Sequence, residues 1–422
     1  YIKFILKKDR KNMKKKGVFM KFYLNNILED AGVFGYQQYE KPLLTALITE
    51  DPILLVGEHG IAKTLLSEKL AQLLGYSTDA ENKEFQAYDA SKSLFEDVVG
   101  FPDPKKMKQG YIDYLNSPIT IWDKKFILID EISRANPTMQ NKWLEVIRNR
   151  RVMGKKIPHL KYIFAAMNPL SYLGANPLDT ALADRFAQII TIKNNFSSDD
   201  LAKIINTMHD DDCPGLNKAT KAKQDTRLIT LVNELKQYCS NIPKSLSDMA
   251  TKFTIAFYNK LNELNLPISP RRASMLNRNI QIYQVIDWYY DVQAPIKVEN
   301  FVLATQNIWL YPVIDDEPNI DILMEALYYG LAEVGLIKLD DAKIKNAKKM
   351  MSGMKASSSK SSNKQAQNQK VKSNVQNSNN QTPIDDFFDE TKDVLNDIKN
   401  DFDIFLNQVS SAWDELWNNN KN

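Results

Sequence analysis

The stretch Ile53-Leu-Leu-Val-Gly57-Glu-His-Gly60-Ile-Ala-Lys63-Thr64 contains an apolar run, a turn with glycines and a Lys-Thr pair. The apolar run indicates a buried strand, and the residues after Thr64 follow a helical pattern. Backbone N–H groups in such a turn and at the start of the next helix form a cradle for phosphate. Lys63 can reach the β- and γ-phosphates of a nucleotide, and the Thr64 hydroxyl can bind Mg²⁺. The order therefore predicts a phosphate-binding loop, although Ala62 stands where the usual pattern has glycine.

A second apolar run, Phe126-Ile-Leu-Ile, ends in the carboxylates Asp130 and Glu131. In a parallel sheet, the carboxyl ends of the strands form the edge where ligands bind. We therefore expect Asp130 to complete the Mg²⁺ shell with Thr64, and Glu131 to polarise the attacking water. Taken alone, this string could be an ordinary strand that runs into an acidic turn. Its position downstream of the phosphate loop favours the functional interpretation.

Three further polar positions are candidates for the same chemistry. Asn168 ends the apolar run Ile163–Met167 and could hold the water and sense the γ-phosphate, although Asn-Pro alone is usually a turn signal. Arg185 follows a short helical pattern and could stabilise phosphoryl charge, or it could form a surface ion pair with Asp184. Arg271 and Arg272 stand at the start of a helical pattern, where positive charge opposes the helix dipole. They either bind an anion or belong to a solvent-facing surface.

The pattern of apolar runs predicts the fold class. Between residues 53 and 192, helical patterns alternate with the runs ILLV, EFQAY, FILID, YIFAAMN and QIITI. This alternation is typical of a parallel α/β sheet wrapped by helices. Residues 197–335 show helical periodicity without comparable strands. We therefore predict an α/β nucleotide-binding core at residues 24–195 and an all-helical lid domain at residues 196–338.

The charge of the chain is strongly segregated, although the net value is only +3. Residues 1–23 carry nine Lys/Arg and one acid, and we expect a basic disordered arm. Residues 339–382 are rich in Ser, Asn, Gln and Lys, which predicts a disordered linker. Residues 383–422 are acidic and their apolar residues recur at helical spacing, which predicts an amphipathic helix. That helix either packs on its own body or docks on a partner.

Composition also excludes several classes of protein. The body between the basic arm and the linker is acidic, which disfavours a broad nucleic-acid surface. The sequence has no run long enough to span a membrane, so we expect no membrane partner. Two cysteines and three histidines are too few for a disulfide framework or a His-based metal site, and a reducing cytoplasmic location is expected.

Together, these residues resemble the AAA+ ATPases and, within them, the MoxR-like branch, over about residues 24–335. The MoxR-like phosphate loop often reads G-x-P-G-x-A-K-T, so Ala62 agrees with the branch and His59 replaces its usual proline. DEISRA at residues 130–135 is similar to the DEINRA of the branch, and AAMNP at residues 165–169 is similar to ATQNP. LADRF at residues 182–186 and SPRRAS at residues 269–274 are similar to L-x-x-RF and SPRAS.

The resemblance implies a role for each matching residue. It implies ATP and Mg²⁺ as cofactors and a nucleotide-binding set made of Gly57, Gly60, Ile61, Ala62, Lys63, Thr64, Leu65, Asp130 and Arg271. Thr64 and Asp130 would bind the metal, and Glu131, Asn168 and Arg185 would be the catalytic residues. Arg185 would act as an arginine finger on a neighbouring subunit, and Arg271 would be sensor 2, with Arg272 as its possible substitute. Arg134 and Arg150 match arginines that we expect at the subunit boundary.

The resemblance also implies a way of working. The branch builds hexameric rings that hydrolyse ATP to remodel or activate a partner protein, often one with a von Willebrand A domain. It carries an insert in its second helix, which residues 99–118 fit, with Gln109–Leu115 alternating like a strand. A second hairpin is expected around Val152–Ile157. The alternatives are a chelatase-type metal-insertion motor, a nucleic-acid-linked AAA+ motor and a scaffold with an inactive site.

Overall fold

The computed structural model describes residues 21–79, 83–172, 174–194, 196–207, 225–314 and 320–337. The helices of four or more residues are α1 (Leu24–Asp30), α2 (Glu40–Thr49), α3 (Lys63–Leu73), α4 (Phe95–Val99), α5 (Pro104–Met107), α6 (Pro137–Asn149), α7 (Thr180–Ala183), α8 (Ser198–Asn206), α9 (Arg227–Cys239), α10 (Lys244–Glu263), α11 (Pro270–Tyr290), α12 (Val298–Gln306) and α13 (Ile320–Glu333). The strands are β1 (Ile53–Gly57), β2 (Phe85–Asp89), β3 (Phe126–Asp130), β4 (Arg151–Val152), β5 (Lys155–Lys156), β6 (Tyr162–Met167) and β7 (Gln188–Ile192).

Five of these strands form one parallel sheet in the order β2-β3-β6-β1-β7. The predicted fold class is therefore confirmed, because each predicted apolar run is a strand of this sheet. Strand β6 lies between β1 and β3, and its register pairs Met167 with Val56 and Ala165 with Ile129. The carboxyl ends of β1, β6 and β3 consequently lie side by side, although they are far apart in the sequence.

Both faces of the sheet are covered, which explains why the strand sequences are continuously apolar. Successive side chains of a strand point to opposite faces. Accordingly, Ile53 and Leu55 belong to a core shared with residues of α1, α2, α9 and α11. Leu54 and Val56 belong to a second core, which includes Trp143 of α6. The phosphate loop therefore extends from a strand that is buried on both sides.

The described residues from 196 to 337 contain helices and no strand, which agrees with the predicted helical region. The chain divides into two compact units, and the division falls inside α10 and again before α11. Among the described residues, the first unit contains residues 21–250 and 269–314, and the second contains residues 251–268 and 320–337. The predicted boundaries at residues 195 and 338 stay predictions. Residues 1–20 and 338–422 lie outside the described residues, and so do the predicted linker, the terminal helix and most of the predicted arm. The last three residues of that arm are described and are packed rather than disordered, because Phe22 packs against the core and Tyr23 stacks on Tyr290 with ring centroids 4.4 Å apart.

The second unit is built from the later part of α10 and from α13. Phe253 and Phe257 stack with ring centroids 5.8 Å apart, and a Cβ added at Gly330 would lie 2.8 Å from the Phe253 ring. Lys260 forms an ion pair with Glu325 at 3.3 Å. Within the part of the chain that the structure describes, no helix is long and apolar enough to cross a membrane.

The two expected hairpins have different outcomes. Strands β4 and β5 form an antiparallel hairpin, as expected for this segment. Its turn residues, Met153 and Gly154, both have positive φ. The prediction of a strand over Gln109–Leu115 is wrong. Residues 100–118 instead form a loop with the short helix α5, closed by one antiparallel bridge between Pro102 and Tyr114. A single bridge leaves too few ladder hydrogen bonds to hold an extended strand, whatever the side-chain alternation.

Candidate nucleotide-binding site

The backbone conformation of the loop between β1 and α3 depends on small residues at several positions. A Cβ at Gly57 would lie 2.1 Å from the Ile61 side chain and 2.9 Å from the Ile192 carbonyl oxygen, so only glycine fits there. Gly60 and Ala62 have φ of 81° and 61°, in the left-handed region. The buried Tyr36 hydroxyl donates a hydrogen bond to the Ile61 carbonyl at 2.6 Å, which anchors the loop on the body.

Lys63, the first residue of α3, directs its ammonium group into the loop. It donates to the carbonyls of Gly57 at 2.6 Å and Glu58 at 2.8 Å, and it lies 3.4 Å from Asn168 Oδ1. Burial lowers the pKa of Lys63, while the negative charges of Asp130, Glu131 and Glu58 oppose that shift. The ammonium group is thus held at the centre of the loop, where phosphate oxygens would be recognised. Leu65, two positions further along α3, is half-buried and packs against the core.

Thr64 and Asp130 meet at the start of α3. The Thr64 hydroxyl donates to Asp130 Oδ2 at 2.7 Å, and Asp130 Oδ1 accepts a hydrogen bond from the Glu131 amide at 2.9 Å. A hydroxyl and a carboxylate are the oxygen ligands that Mg²⁺ prefers, and the ion usually keeps several waters and phosphate oxygens besides. Among the described residues, no three His, Cys, Asp or Glu side chains converge on a metal site. The pair fits a nucleotide-bound Mg²⁺ better than a permanent metal centre.

Glu131 lies beside this pair in a left-handed conformation, with φ of 53°. Its carboxylate accepts from Asn168 Nδ2 at 3.2 and 3.3 Å and pairs with Arg134 Nε at 2.9 Å. Asn168 is buried at the end of β6, between Lys63 on one side and Glu131 on the other. We call Lys63, Thr64, Asp130, Glu131 and Asn168 the strand-edge site. The structure thus brings together five side chains that the sequence predicted to act together.

Two further residues contact the strand-edge site, and the sequence did not assign them there. His59 Nε2 lies 3.0 Å from Asn168 Nδ2 and 3.4 Å from Arg134 Nη2, and the ring packs edge-on against Tyr172. Arg134 forms an ion pair with Glu131 besides its contact with His59, and its expected place at a subunit boundary stays a prediction. The replacement of proline by His59 was a visible signal, but its partners come from other strands and could not be read from the motif.

Arg150 makes two hydrogen bonds within this chain, and its expected place at a subunit boundary stays a prediction. Its Nη2 donates to the Lys161 carbonyl at 2.9 Å and also to the Glu50 carbonyl. The residue ends α6 in a left-handed conformation. These bonds satisfy two loop carbonyls, so the structure gives Arg150 a role in closing the end of α6.

Two of the three remaining predicted arginines contact one carboxylate, that of Asp184. Asp184 Oδ2 accepts from Arg271 Nη1 at 2.7 Å and from Arg185 Nη1 at 3.3 Å. Arg272 points the other way and donates to the carbonyls of Phe186 (at 3.2 Å) and Ile308. We call Asp184, Arg185, Arg271 and Arg272 the arginine cluster. Among the described residues, the hydrogen bonds and ion pairs of this cluster given above do not reach the strand-edge site.

The two adjacent arginines of this cluster differ in environment. The Arg271 side chain is 42% exposed, whereas Arg272 is 2% exposed. Burial lowers the pKa of Arg272 to about 10, and the nearby Asp184 charge opposes the shift. The sequence left open which of the two meets the nucleotide. Arg271 is the one with a guanidinium that solvent and ligands can reach.

Comparison with known proteins agrees with this geometry. Residues 52–186 match the family model of the AAA domain, dynein-related subfamily. The chaperone MoxR1 of Mycobacterium tuberculosis is 28% identical over 159 residues, which are 36% of this chain and 39% of that protein. The structural protein ORF618 of Acidianus two-tailed virus is 30% identical over 161 residues, 37% of this chain and 25% of that protein.

Two further matches complete the comparison. The protein YeaC of Bacillus subtilis is 30% identical over 149 residues, 34% of this chain and 43% of its own length. The crystal structure of a candidate ATPase from Cytophaga hutchinsonii shares the fold, with a TM-score of 0.51 and 20% identity, over 73% of this chain and 94% of that one. The matches span only a quarter to two fifths of the lengths of the three curated relatives. The match of residues 52–186 to the AAA domain model and the similarity to MoxR1 confirm the resemblance of this chain to MoxR-like AAA+ ATPases.

Proposed function

We propose that this chain is a Mg²⁺-dependent ATP hydrolase of the MoxR-like AAA+ type that remodels or activates a partner protein. The observation that carries the proposal is the convergence of Lys63, Thr64, Asp130 and Asn168 at the ends of three neighbouring strands. Phosphoryl transfer requires groups that bind phosphate, hold a metal ion and position water. Around this phosphate loop, those groups are an ammonium group, a metal-binding pair and a buried amide. The AAA domain match supports the same reaction class.

Each group of the strand-edge site has a defined task in this proposal. The amides of residues 60–65 and the Lys63 ammonium group bind the phosphates, which places the γ-phosphate near Asn168. Mg²⁺ held by Thr64 and Asp130 would supply neutralisation of phosphate charge. Glu131 polarises the attacking water once its carboxylate is no longer fully engaged by Arg134 and Asn168. The protein groups therefore position and neutralise rather than form covalent bonds.

The proposal includes a ring in which neighbouring subunits complete one another's sites. The Arg185 Nε is buried, so a phosphate of a neighbour would meet the terminal nitrogens of this guanidinium group, whose side chain is 14% exposed as a whole. Arg271 would contact the nucleotide of its own subunit as sensor 2. A hexamer is the assembly that the MoxR-like resemblance supports. Sedimentation with and without ATP measures it, and a strictly monomeric chain that still hydrolyses ATP would rule it out.

The partner surface of the proposal is formed by the loop at residues 100–118 and the β4–β5 hairpin. Tyr111, Ile112 and Met153 are each at least 65% exposed, which is unusual for large apolar side chains. The Tyr114 hydroxyl lies 2.9 Å from Met153 Sδ, so the loop and the hairpin contact each other. An exposed apolar surface suits a protein client, and a von Willebrand A domain protein is the client that the resemblance supports. A cytoplasmic location belongs to the same proposal.

Two measurements on variants of the full chain test this function. ATP binding and turnover are measured for the wild type, for Lys63→Ala and for Glu131→Gln. We expect Lys63→Ala to lose nucleotide binding, and Glu131→Gln to bind ATP without turning it over. Lys69→Ala, on the same helix, is the matched control and should behave as the wild type. Undiminished ATP binding in Lys63→Ala would refute the site.

The client is tested with the Glu131→Gln variant, because an ATP-bound ring that cannot hydrolyse should keep its partner. Copurification in ATP of a protein with a von Willebrand A domain, lost in Lys63→Ala, is the expected result. Copurification of a chelatase subunit or of nucleic acid would assign the motor to one of the other classes. In either of those cases the ATPase core of the proposal would stand and the client would change.

A further inference from the structure

Asp184 is the centre of the arginine cluster, and both of its carboxylate oxygens are engaged. Oδ1 accepts a hydrogen bond from the Ser269 hydroxyl at 2.7 Å. Oδ2 accepts from Arg271 at 2.7 Å and from Arg185 at 3.3 Å. The Asp184 side chain is 16% exposed, so water has little access to replace these partners. The Oδ2 atom of this largely buried carboxylate is therefore shared by the guanidinium groups of Arg271 and Arg185.

The two arginines have different tasks in the proposed function, on which this inference rests. Arg271 begins α11 and would contact the nucleotide of its own subunit. Arg185 lies in the turn before β7 and would contact the nucleotide of the neighbouring subunit. A guanidinium that pairs with Asp184 Oδ2 has fewer donors for a phosphate. A change in the Asp184–Arg271 ion pair therefore changes the electrostatic field and the side-chain geometry at the Asp184–Arg185 pair, and the reverse also holds.

We infer that Asp184 is a positioning residue that holds Arg271 back from the nucleotide and orients Arg185 toward the neighbouring subunit. When Arg271 moves to a phosphate, Asp184 Oδ2 loses its closer partner and its remaining pair with Arg185 becomes stronger. Nucleotide occupancy in one subunit is thereby communicated to the arginine finger that serves the next. A single carboxylate links the two sites, and no larger conformational change is required for the first step.

A purely structural role for Asp184 makes a different prediction. The carboxylate also lies at the start of α11, where a negative charge is stabilised by the helix dipole, and Ser269 caps that helix. If this were its whole role, removing the charge would loosen α11, weaken ATP binding and slow turnover together. The inference instead requires binding and turnover to move in opposite directions. The ratio of these two changes distinguishes the roles.

The test is the variant Asp184→Asn in the full chain, which keeps the size of the side chain and one acceptor oxygen and removes the charge. Equilibrium binding of a fluorescent ATP analogue should become about two- to fivefold tighter, because a partly exposed ion pair no longer competes for Arg271. The kcat should fall by at least about tenfold, because Arg185 loses its orienting partner. Asp179→Asn is the matched control, since Asp179 caps α7 and has the same charge. It should change neither quantity by more than about twofold.

A second variant removes the arginine that the inference invokes. In an Arg271→Ala background, Asp184→Asn should no longer tighten ATP binding, because the released group is absent. The inference is overturned if the gain persists in that background, if Asp184→Asn weakens binding, or if it leaves kcat unchanged. Failure of the proposed function is distinguishable, because then Lys63→Ala would still bind ATP. If Lys63→Ala loses binding while Asp184→Asn matches the wild type, only the inference about Asp184 fails.

Discussion

The strand-edge site and the arginine cluster lie in the same compact unit and were assembled by different means. In the strand-edge site, each side chain follows the carboxyl end of a strand of one parallel sheet, so the strand order brings them together. In the arginine cluster, Arg185 comes from a turn and Arg271 from the start of α11, with no repeating pattern between them. Regular secondary structure makes the strand-edge site predictable from the sequence. The second depends on how one helix packs against one turn.

The largest expected effect sharpens this comparison at Arg185. Changing Arg185 to Ala should lower kcat by about 10³-fold, because an arginine finger stabilises charge that develops only in the transition state. ATP binding to dilute subunits should be unchanged. The measurement is steady-state turnover beside equilibrium binding. Arg148→Ala, an exposed arginine of α6, is the control. Full turnover in Arg185→Ala would remove the finger assignment.

The next effect separates the two adjacent arginines. Arg272→Met should destabilise the fold by about 2–3 kcal/mol, because the carbonyls of Phe186 and Ile308 lose their donor in a buried place. Arg271→Met should cost less than about 1 kcal/mol, since its ion pair is partly exposed. Urea unfolding of both variants measures the difference. Equal losses would contradict the division into a buried structural arginine and an accessible functional one.

A smaller effect tests the metal-binding pair of the strand-edge site. Thr64→Val keeps the size of the side chain and removes the hydroxyl that contacts Asp130. The Mg²⁺ concentration needed for half-maximal turnover should rise by at least about tenfold. Thr64→Ser keeps the hydroxyl and should stay close to the wild type. A Thr64→Val enzyme with an unchanged Mg²⁺ requirement would show that the pair does not bind the ion.

The smallest effect concerns the loop backbone. Ala62 has φ of 61°, a conformation that costs a residue with a Cβ more than it costs glycine. Ala62→Gly should therefore raise stability slightly, by about 0.5 kcal/mol after the greater freedom of glycine in the unfolded chain is included. Ala71→Gly, inside α3, should lower stability by about 1 kcal/mol or more. The same change at two alanines should thus have opposite signs in urea unfolding. Loss of stability at both positions would show that the left-handed backbone at Ala62 carries no strain.

The success and failure of the sequence predictions follow the same division. The strands of the sheet were predictable because each is an apolar run long enough to be buried on both faces. The β4–β5 hairpin was expected from the family resemblance, and Gly154 supplies a residue that tolerates positive φ in its turn. The prediction of a strand at residues 109–115 was wrong, because alternating side chains do not form a strand without a ladder of hydrogen bonds to a neighbouring strand. The place of His59 depends on its contacts with Asn168 and Arg134, which lie in other loops.

The sequence by itself determined the order of strands and helices, the phosphate loop and the residues at the strand ends, because local periodicity and turn chemistry act over short distances. Only the tertiary structure decided that Arg272 is buried and Arg271 accessible, although they are neighbours with the same side chain. A helix turns by about 100° between consecutive residues, so packing of α11 sends one guanidinium inward and the other outward. The same packing places Ser269 and Arg271 against Asp184, 85 residues or more away in the chain. A contact of that kind is a property of the packed fold and of no local pattern.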